Sequence, residues 1–440
     1  MTSQKGRNDI SKSTRRTFLK SASAAALSAS IAGSGDLSRR VYAAGDEVIK
    51  IGMIGAGGRC TGAAMDAMRA DDGVRLVAMS DVFQERVDAS RAEIKSKMPD
   101  QYAVDDDHAF VGCDGYKKVI ESDVDVVLIA CASLFHPPYS KAALEAGKHV
   151  FVEKPHAIDP SGVQIVRETI DLAKRKNLSL VSGLMNRYVP GVQETMKRIH
   201  DGAIGDIVAI EENFLRAPYV LKARQPDDSE MEYQFRNWYH FSWLSGDDVI
   251  QSLVHNLDKA LWALGEKPPA KAHGLAGRSS MFGELYGDVF DHHSVVYEYD
   301  DGVKIYALCR TQDNCHNGVS DIIMGTKGKC DLLNNRITGE THWQYEGPHG
   351  SGYINEHKDL FQGIRTGRPV VSEYMAASTM TAVMGQMACY SGIQLTWEEA
   401  CGSKFRLGPP DGDFTMTPPK VPGPDGNYPI AIPGRTKVLL

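Results

Sequence analysis

Residues 48–62 read VIKIGMIGAGGRCTG, an apolar run that leads directly into a glycine-rich turn. The run is rich in β-branched residues, which is typical of a buried parallel strand. Residues 63–70, after the turn, favour a helix. A strand, a glycine turn and a helix in this order are the setting of a dinucleotide-binding fingerprint, because free N–H groups at the start of the helix face the pyrophosphate.

The residues of the turn have separate predicted roles. Gly55 permits the tight turn, and Gly57 lets the backbone approach the pyrophosphate. Cys60 stands where the fingerprint has its third glycine, and it tolerates the contact between helix and strand less well. The predicted cofactor-binding residues of the turn are Gly55, Gly57, Gly58 and Arg59.

An acidic residue follows the second predicted strand, residues 74–79. Asp81 lies 21 residues after Cys60, close to the separation of about 20 expected for the acid that binds the ribose hydroxyls. A carboxylate there repels a 2′-phosphate, so NAD is favoured as cofactor. Arg86, in the following helix, leaves NADP as an alternative, and Asp81 could instead cap that helix.

Further strand–helix units follow along the chain. Ligands bind at the carboxyl ends of parallel strands, so His136, Glu153 and Lys154 are predicted to face one crevice and to contribute to the cofactor site. The predicted strands of these units are residues 124–130, 148–152 and 178–182, and the predicted helices are residues 139–146 and 159–176.

The second half of the chain contains more strand-like runs, and Asp300-Asp301-Gly302 is a hairpin turn between two of them. With 440 residues, the chain is long enough for two domains. We predict an α/β fold with an export signal at 1–43, a Rossmann domain at 44–185, a second α/β domain at 186–400 and an extended arm at 401–440. The predicted strands here are residues 207–215, 295–299, 303–309, 320–325 and 330–333.

The first 43 residues have the features of a twin-arginine export signal. Thr14-Arg15-Arg16-Thr17-Phe18-Leu19-Lys20 precedes a weakly apolar stretch, and Val41-Tyr42-Ala43 offers small residues for cleavage. This route exports folded proteins, so we expect a periplasmic or otherwise exported protein that keeps its cofactor. The alternative is a disordered basic tail.

The charge of the remaining chain disfavours some partners. The first 43 residues hold eight Lys/Arg and two acids, which leaves 41 basic and 54 acidic residues and a net charge of −13. This sign disfavours nucleic acid and anionic membranes, and no apolar run reaches the roughly 18 residues of a spanning helix. Eight cysteines show no metal-like spacing, although Cys309 and Cys315 could pair in an oxidising compartment.

Glu153-Lys154-Pro155, directly after an apolar strand and about 95 residues past the glycine turn, resembles the Gfo/Idh/MocA family of glucose–fructose oxidoreductases and inositol dehydrogenases. The resemblance covers roughly residues 47–400. It implies a Rossmann domain followed by an α/β domain with a large, open, mostly antiparallel sheet, which commonly forms the contact of a dimer or tetramer. Other segments that carry it are GVQETMKRIHDGAIGD (191–206), His255-Asn256-Leu257-Asp258, GTKG (325–328) and residues 355–363.

Lys154 is the first predicted catalytic residue. Oxidation of an alcohol needs a hydride acceptor and a base near the hydroxyl. The stem of Lys154 would be enclosed by the strand end and Pro155, and a nicotinium charge would lower the amine pKa, so a neutral amine is favoured. The family implies this role for the lysine of the motif. The alternative is a surface lysine paired with Glu153.

His255 is the second predicted catalytic residue. In the family, a histidine here acts as acid/base, and many members carry an aspartate four residues earlier, on the same helical face. Here that residue is Gln251, which cannot take a proton, so Lys154 and His255 would share proton handling. The alternative for His255 is a core histidine bonded to the backbone. The acids that could replace the carboxylate missing at position 251 are Asp247, Asp248 and Asp258.

Substrate contacts are predicted from aromatic and polar side chains, because aromatic faces suit sugar rings and polar groups bind hydroxyls. Core aromatic residues would look the same. His292-His293 lacks the spaced partners of a metal site, so no metal is predicted. The predicted substrate residues are Arg187, Tyr188, His240, Gln251, His255 and Asp258, with Tyr233, Trp238 and Trp243 nearby.

Three functions follow from these features. The first, which we favour, is an NAD(P)-dependent oxidoreductase acting on a CH–OH group of a sugar, sugar derivative or cyclitol, with tightly held cofactor. The second is an NAD-dependent glycoside hydrolase or lyase that oxidises a ring hydroxyl transiently. The third is a non-catalytic sugar-binding protein that retains the dinucleotide.

Overall fold

A computed structural model describes residues 47–409 and 414–440. The predicted export signal at 1–43 lies outside the described residues. The described chain contains two β-sheets, one of six strands and one of nine. This agrees with the α/β architecture predicted from the sequence.

The first sheet is parallel throughout, with strand order β3-β2-β1-β4-β5-β6. The order reverses between β1 and β4, so a crevice opens at the carboxyl ends of these two strands. The strands are β1 (Ile49–Ile54), β2 (Val74–Asp81), β3 (Ala109–Val111), β4 (Val126–Ile129), β5 (His149–Val152) and β6 (Leu180–Ser182). The helices are α1 (Gly58–Ala70), α2 (Gln84–Lys97), α3 (Gly115–Glu121), α4 (His136–Glu145) and α5 (Pro160–Lys176).

Strand β1 packs closely against helix α1, and the buried side chains of both elements allow this contact. Ile49, Ile51 and Met53 are fully buried in β1, as expected for a strand between two helical layers. Cys60 is also fully buried, and its thiol lies 3.7 Å from the carbonyl of Ile54. Cys60 therefore fits at the position of the third glycine.

The second sheet has strand order β14-β13-β12-β11-β7-β10-β9-β8-β15, and its only parallel pair in the described chain is β7 with β10. The predicted hairpin at 300–302 joins β9 to β10. The strands are β7 (Ile207–Arg216), β8 (Lys271–Gly277), β9 (His292–Glu298), β10 (Lys304–Thr311), β11 (Gly318–Gly325), β12 (Gly328–Asp331), β13 (Arg336–Gly339), β14 (Trp343–Gln344) and β15 (Leu395–Thr396).

The helices of the second half include one π-helical turn, Val249–Leu253, directly before α9. This turn changes the direction of the side chains before His255, as described below. The helices are α6 (Pro190–His200), α7 (Glu230–Arg236), α8 (Ser242–Ser245), α9 (Val254–Ala263), α10 (Gly352–Thr366), α11 (Tyr374–Ser391) and α12 (Trp397–Gly402).

Helix α10 packs on the first sheet although it lies far along the chain. Leu360, Phe361 and Ile364 belong to the same buried cluster as β1 and α1. Arg365 binds both carboxylate oxygens of Asp71, with N–O distances of 2.7 and 2.9 Å. The six-stranded half is therefore completed by a C-terminal helix.

The C-terminal arm lies against the second half of the chain. Tyr428 and Lys420 contact the acids Glu230 and Asp288, respectively. Phe414 packs 5.3 Å from the ring of Phe235. The described residues of 414–440 contain no helix or strand and contact the second half of the chain.

The structure also answers smaller questions raised by the sequence. Cys309 is buried and Cys315 is exposed, and both are free thiols, so the pairing considered above is not formed. Among the described residues, no helix is both long and apolar enough to cross a membrane. In the same part of the chain, no group of His, Cys, Asp or Glu residues is arranged to hold a metal ion.

Candidate active site

A groove of about 420 Å³ opens at the carboxyl ends of β1, β2 and β4. Its floor is formed by residues 54–59 and 130–132, and residues 80–82 form one wall. Residues 235–239 from the second half of the chain line the opposite side. The glycine turn and the end of the second strand therefore meet in one groove, as the sequence predicts.

The glycine turn leaves space for a ligand backbone. Gly55 has φ +94°, and a Cβ there would lie 2.7 Å from the carbonyl oxygen of Ala130. At Gly57 and Gly58, by contrast, a Cβ would meet no atom within 4 Å. Gly57 precedes α1, and no side chain caps the helix. Open space beside uncapped N–H groups fits the pyrophosphate of a dinucleotide.

Asp81 borders this groove at the end of β2. Its Oδ2 accepts the N–H of Ala56 at 2.7 Å, and its Oδ1 accepts the N–H of Phe83 at 3.1 Å. The carboxylate is thus held in place as an acceptor beside the glycine turn, which fits the binding of ribose hydroxyls. Arg86 also lines the groove, with Nη1 3.9 Å from Asp81.

Arg59 and Glu153 form an ion pair with each other. The guanidinium of Arg59 lines the groove and lies 4.5 Å from the ring centre of Tyr353. Glu153 is buried below it, and its Oε2 accepts the N–H of Lys154 at 3.1 Å. Glu153 therefore orients Arg59 and the lysine backbone, and its direct contact with the cofactor stays a prediction.

His136 is also placed beneath the groove rather than on its wall. Its Nδ1 lies 2.7 Å from the carbonyl of Pro155, and its Nε2 lies 3.1 Å from the carbonyl of Cys131. Burial lowers the pKa of His136, whereas the two carbonyls act in the opposite direction. The ring joins the loops after β4 and β5, and its direct contact with the cofactor stays a prediction.

Lys154 follows β5, and the Lys154–Pro155 peptide is cis. The residue is partly exposed, and its Nζ donates a hydrogen bond to the main-chain carbonyl of Gln251, 2.8 Å away. Burial lowers the pKa of Lys154; Glu153 opposes this shift, whereas Arg216 and Arg59 reinforce it. The amine is therefore a candidate for proton exchange, and it is not a surface lysine paired with Glu153.

His255 is the partly exposed residue of α9 that lies near this amine. Its buried Nδ1 has no hydrogen-bond partner. Burial lowers the pKa of His255 well below its usual value, and the charges of Lys154 and Lys259 act in the same direction. The structure does not show the backbone-bonded Nδ1 of an ordinary core histidine, and this nitrogen is buried without a partner.

The side chain of Gln251, which lies in the π-helical turn, is hydrogen-bonded within the protein. Its side-chain amide donates to Ser133 Oγ at 2.8 Å and to the carbonyl of Ser245. The sequence analysis expected residues 251 and 255 on one helical face, but the wider turn directs the Gln251 amide into the domain contact. The backbone carbonyl of Gln251 binds Lys154, and its side chain is hydrogen-bonded within the protein, so its contact with substrate stays a prediction.

Three more predicted substrate residues form a separate cluster. Arg187 binds Asp258, with Nε–Oδ2 at 2.9 Å and Nη2–Oδ1 at 2.7 Å, and it also forms an ion pair with Glu266. Ser378 donates to the same carboxylate, and Tyr188 contacts Ser372. The side chains of Arg187, Tyr188 and Asp258 are thus engaged by other residues of the protein, and their contact with substrate stays a prediction.

The aromatic segment around residues 233–243 divides into core and groove residues. Tyr233 and Trp243 are buried, and the indole N–H of Trp243 donates to Gln234 at 2.6 Å. Trp238 lines the groove and stacks on Tyr239 at 3.8 Å. The core alternative thus holds for Tyr233 and Trp243, but not for Trp238.

His240 lies beside this segment and is also buried. Its Nε2 is 3.3 Å from the carbonyl of Tyr219, and its Nδ1 has no partner. Burial lowers the pKa of His240 to about 4. The neutral ring supports the loop that carries Tyr219, and the structure shows no opening from it to the groove lining.

His292 and His293 occupy structural positions on β9. The Nε2 of His293 lies 3.3 Å from Asp247, which raises the pKa of His293 although burial alone would lower it. His292 contacts the neighbouring carboxylate of Asp291. Each of these two imidazoles thus contacts one carboxylate.

One set of residues around Lys154 is not predicted from the sequence. Tyr219 stacks on Tyr239 at 4.0 Å, and Arg216 lies 3.2 Å from the ring centre of Tyr219. Arg216 in turn contacts Asp248 at 3.4 Å. Tyr239 adjoins residues that the sequence singles out at 238 and 240, but a loop and helix α7 separate it from Tyr219, so only the folded chain brings the two tyrosines together.

The parallel sheet, the open glycine turn and Asp81 define an NAD-binding Rossmann protein. Residues 49–184 match the family described as "Oxidoreductase family, NAD-binding Rossmann fold", and residues 196–388 match its C-terminal alpha/beta domain. The chain belongs to the Gfo/Idh/MocA oxidoreductase family, as the sequence resemblance predicts.

Similar proteins include dehydrogenases of cyclitols. The chain is 29% identical over 226 residues to inositol 2-dehydrogenase of Klebsiella pneumoniae (strain 342), covering 50% of this chain and 55% of that protein. It is 25% identical over 342 residues to myo-inositol 2-dehydrogenase of Thermotoga maritima, covering 73% and 90%. The match therefore spans about half the length of the Klebsiella protein and most of the Thermotoga protein.

Solved structures show the same fold. A levoglucosan dehydrogenase in complex with NADH and levoglucosan superimposes with a TM-score of 0.62 at 18% identity, covering 80% of this chain and 99% of that one. An aldose-aldose oxidoreductase from Caulobacter crescentus gives a TM-score of 0.61 at 18% identity, covering 80% and 100%.

Proposed function

We propose that this chain is an NAD-dependent oxidoreductase that acts on a CH–OH group of a sugar, a sugar derivative or a cyclitol. The observation that carries the proposal is the amine of Lys154, which is held at the carboxyl end of β5 with a pKa lowered by burial. A dehydrogenase needs such a proton acceptor beside its dinucleotide. The names of the Klebsiella and Thermotoga relatives support a cyclitol or sugar alcohol as substrate.

The groove would bind the cofactor, and Lys154 and His255, which do not line it, would handle the proton and the substrate hydroxyl. Gly57, Gly58 and the N-terminus of α1 hold the pyrophosphate, and Asp81 binds the ribose. Bound NAD⁺ supplies the hydride acceptor. Lys154 takes the proton from the substrate hydroxyl at Nζ, and the neutral ring of His255 binds the same hydroxyl.

The form of the cofactor follows from the charges near the ribose. The carboxylate of Asp81 opposes a 2′-phosphate, so NAD is proposed over NADP, with Arg86 as the group that would accommodate NADP. We expect Asp81→Ser to reduce the preference for NAD over NADP about tenfold or more. The ratio of kcat/KM for the two cofactors measures this, and an unchanged ratio would contradict the role of Asp81.

We also propose that the protein is exported with its cofactor bound. The paired arginines at 15 and 16 support the export route. Retention is supported by residues 235–239, which line the groove and which we call the cover. Arg236 in the cover forms an ion pair with Glu85, and Arg86 Nη2 donates to the carbonyl of Arg236 at 3.1 Å. These contacts join the cover to the Rossmann helix α2, so the dinucleotide leaves slowly.

A homo-oligomer is proposed for the second sheet. Leu275 on β8 and Leu308 on β10 both pair with Ser294, and their exposed fractions are 78% and 37%. Exposed apolar residues on one sheet face are typical of an interface. We expect Leu275→Asp to lower the mass measured by light scattering, whereas Ile432→Asp, on the exposed arm, should not.

Two measurements on the purified full chain test the proposed function. Acid denaturation should release NAD(H), which mass spectrometry detects. Incubation with NAD⁺ and, in turn, myo-inositol, D-xylose and D-glucose should produce NADH with at least one of these compounds. Release of an aglycone from a glycoside without net NADH would favour the hydrolase or lyase. Sugar binding without either reaction would favour the non-catalytic alternative.

A further inference from the structure

The acid expected near Lys154 is absent at position 251, and two of the acids that could replace it are occupied elsewhere. Asp258 is bound to Arg187 and Ser378. Asp247 accepts hydrogen bonds from the N–H of Phe290 at 2.9 Å and the hydroxyl of Tyr390 at 2.7 Å. Neither carboxylate is available to the amine.

Asp248 is the third acid, and it lies at the start of the π-helical turn. It is 5% exposed. Its Oδ1 accepts the hydroxyl of Ser252 at 2.6 Å and lies 3.4 Å from Arg216. Its Oδ2 is buried and accepts no hydrogen bond from an N–H or O–H group, and the thiol of Cys309 interacts with the same carboxylate. Because buried carboxylate oxygens are normally paired, this oxygen has the capacity to serve a neighbouring group.

The turn that begins after Asp248 also holds the lysine. The carbonyl of Gln251, within the turn, accepts the hydrogen bond from Lys154. Arg216 extends from the end of β7 to the same place, and its buried Nε has no hydrogen-bond partner. An amine, a carboxylate and a guanidinium are thus gathered around one turn.

We propose that Asp248 is the positioning carboxylate for the amine of Lys154, in place of the acid absent at position 251. The positive charge of Arg216 opposes the stabilisation of the ammonium by Asp248. This proposal rests on the proposed function. When the substrate hydroxyl loses its proton, the O–H bond breaks and an N–H bond forms at Lys154, while the carbinol hydrogen leaves with its electron pair for NAD⁺. Asp248 then stabilises the resulting ammonium.

The balance of charge around Lys154 includes groups from both halves of the chain. Glu153 and Asp248 favour its ammonium form, whereas Arg216 and Arg59 oppose it. Asp248 itself acts on Tyr219, His293 and Cys309 as well as on the lysine. The histidines whose pKa values are lowered by the charge of Lys154 are His136, His156 and His255.

The proposal is tested by titrating Lys154 directly. Reductive methylation of the full chain with ¹³C-formaldehyde labels the lysine amines, and the NMR signal absent in Lys154→Arg is that of Lys154. Asp248→Asn should move the titration midpoint of this signal down by about one pH unit, because the ammonium loses its counter-charge. Arg216→Gln should move it up. Asp313→Asn, on an exposed loop, is the matched control.

A midpoint that stays in place in folded Asp248→Asn would overturn the proposal. If Asp248→Asn fails to fold, the opposite shift in Arg216→Gln and a near-normal midpoint in Asp248→Glu take its place as the test, and no shift in Arg216→Gln overturns it. The titration needs no turnover. Failure of every polyol to react would therefore contradict the proposed function while leaving the relation between Asp248 and Lys154 measurable.

Discussion

The amine of Lys154 donates a hydrogen bond to the main-chain carbonyl of Gln251, 2.8 Å away. The lysine follows the fifth strand of the parallel sheet, and the carbonyl belongs to a π-helical turn before α9. The group proposed for proton transfer is therefore held by the second half of the chain. A carbonyl accepts hydrogen bonds but takes no proton, so it fixes the amine without competing for the substrate proton.

Replacing Lys154 by alanine should abolish most turnover and leave the cofactor bound. The loss should be about 10²–10⁴-fold in kcat, the usual contribution of a general base. NADH formation measures turnover, and mass spectrometry of the denatured variant measures the cofactor. Lys141→Ala, which removes only a surface pair with Glu168, is the control. Near-normal turnover in Lys154→Ala would make the catalytic assignment wrong.

Two glycines of the same turn should respond differently to alanine. Gly55→Ala places a Cβ against the Ala130 carbonyl at a positive φ, so we expect the free energy of unfolding to fall by about 1–3 kcal/mol. Gly57→Ala meets no atom of the protein, so its stability should change by less than about 0.5 kcal/mol.

Gly57→Ala should nevertheless weaken dinucleotide binding, because its methyl group enters the space proposed for the pyrophosphate. Urea unfolding and calorimetric titration with NAD⁺ measure the two effects. Equal affinity of Gly57→Ala and the unchanged protein for NAD⁺ would contradict the location of the pyrophosphate.

The pair of Arg187 and Asp258 should matter for stability. Asp258 is fully buried, so Asp258→Asn removes the buried counter-charge of Arg187 and leaves it only the more exposed Glu266, which should cost about 1–3 kcal/mol. Denaturant unfolding measures this cost. If the variant is as stable as the unchanged chain but has a raised KM, the role in stability would be wrong and the predicted contact with substrate would be supported.

Cofactor retention should depend on the contact between Glu85 and Arg236. Glu85→Gln removes the ion pair that joins the cover to α2, and we expect NAD to dissociate a few-fold faster, as suits an exposed pair worth up to about 1 kcal/mol. Stopped-flow displacement of NADH measures the rate. Glu93→Gln, on the same helix and paired with Lys97, should keep the original rate; identical rates in both variants would argue against the cover.

His149 should make stability depend on pH. Its Nδ1 accepts the N–H of Ser179 at 2.9 Å, and burial lowers its pKa to about 4. Since the unfolded histidine binds its proton near pH 6.5, its stabilising contribution is complete above that pH and is lost as the pH falls toward 4.

Between pH 7 and pH 5, the unchanged protein should therefore lose up to about 2 kcal/mol more stability than His149→Asn, at about 1.4 kcal/mol per pH unit. Urea unfolding at both values measures the difference. Equal losses would mean that His149 is not held in its neutral form.

Much of the fold could be predicted because its signals are local. The apolar run before Gly55 and the hairpin at 300–302 each specify their structure within a few residues. The short strand β3 and the strand β8, which reads KAHGLAG, carry no such pattern. They are held by pairing with neighbours, so the sequence alone does not mark them.

The site was predicted less completely, for a physical reason. Lys154 and Asp81 follow directly from strands, and their positions are set by the sheet. Gln251 and Asp248 depend on a π-helical turn, which changes the direction of side chains and which no sequence spacing revealed. Arg187 and Asp258 carry charges that suit a substrate or each other, and only the folded chain shows that the two residues pair.

The packing of α10 against the first sheet has a consequence for biosynthesis. Leu360, Phe361 and Ile364 fill the layer beside β1 and α1, yet the ribosome makes them long after the sheet itself. The nucleotide-binding half therefore stays unfinished, with an apolar patch uncovered, until nearly the whole polypeptide has emerged. We therefore expect stable binding of NAD only to chains whose synthesis has passed residue 364.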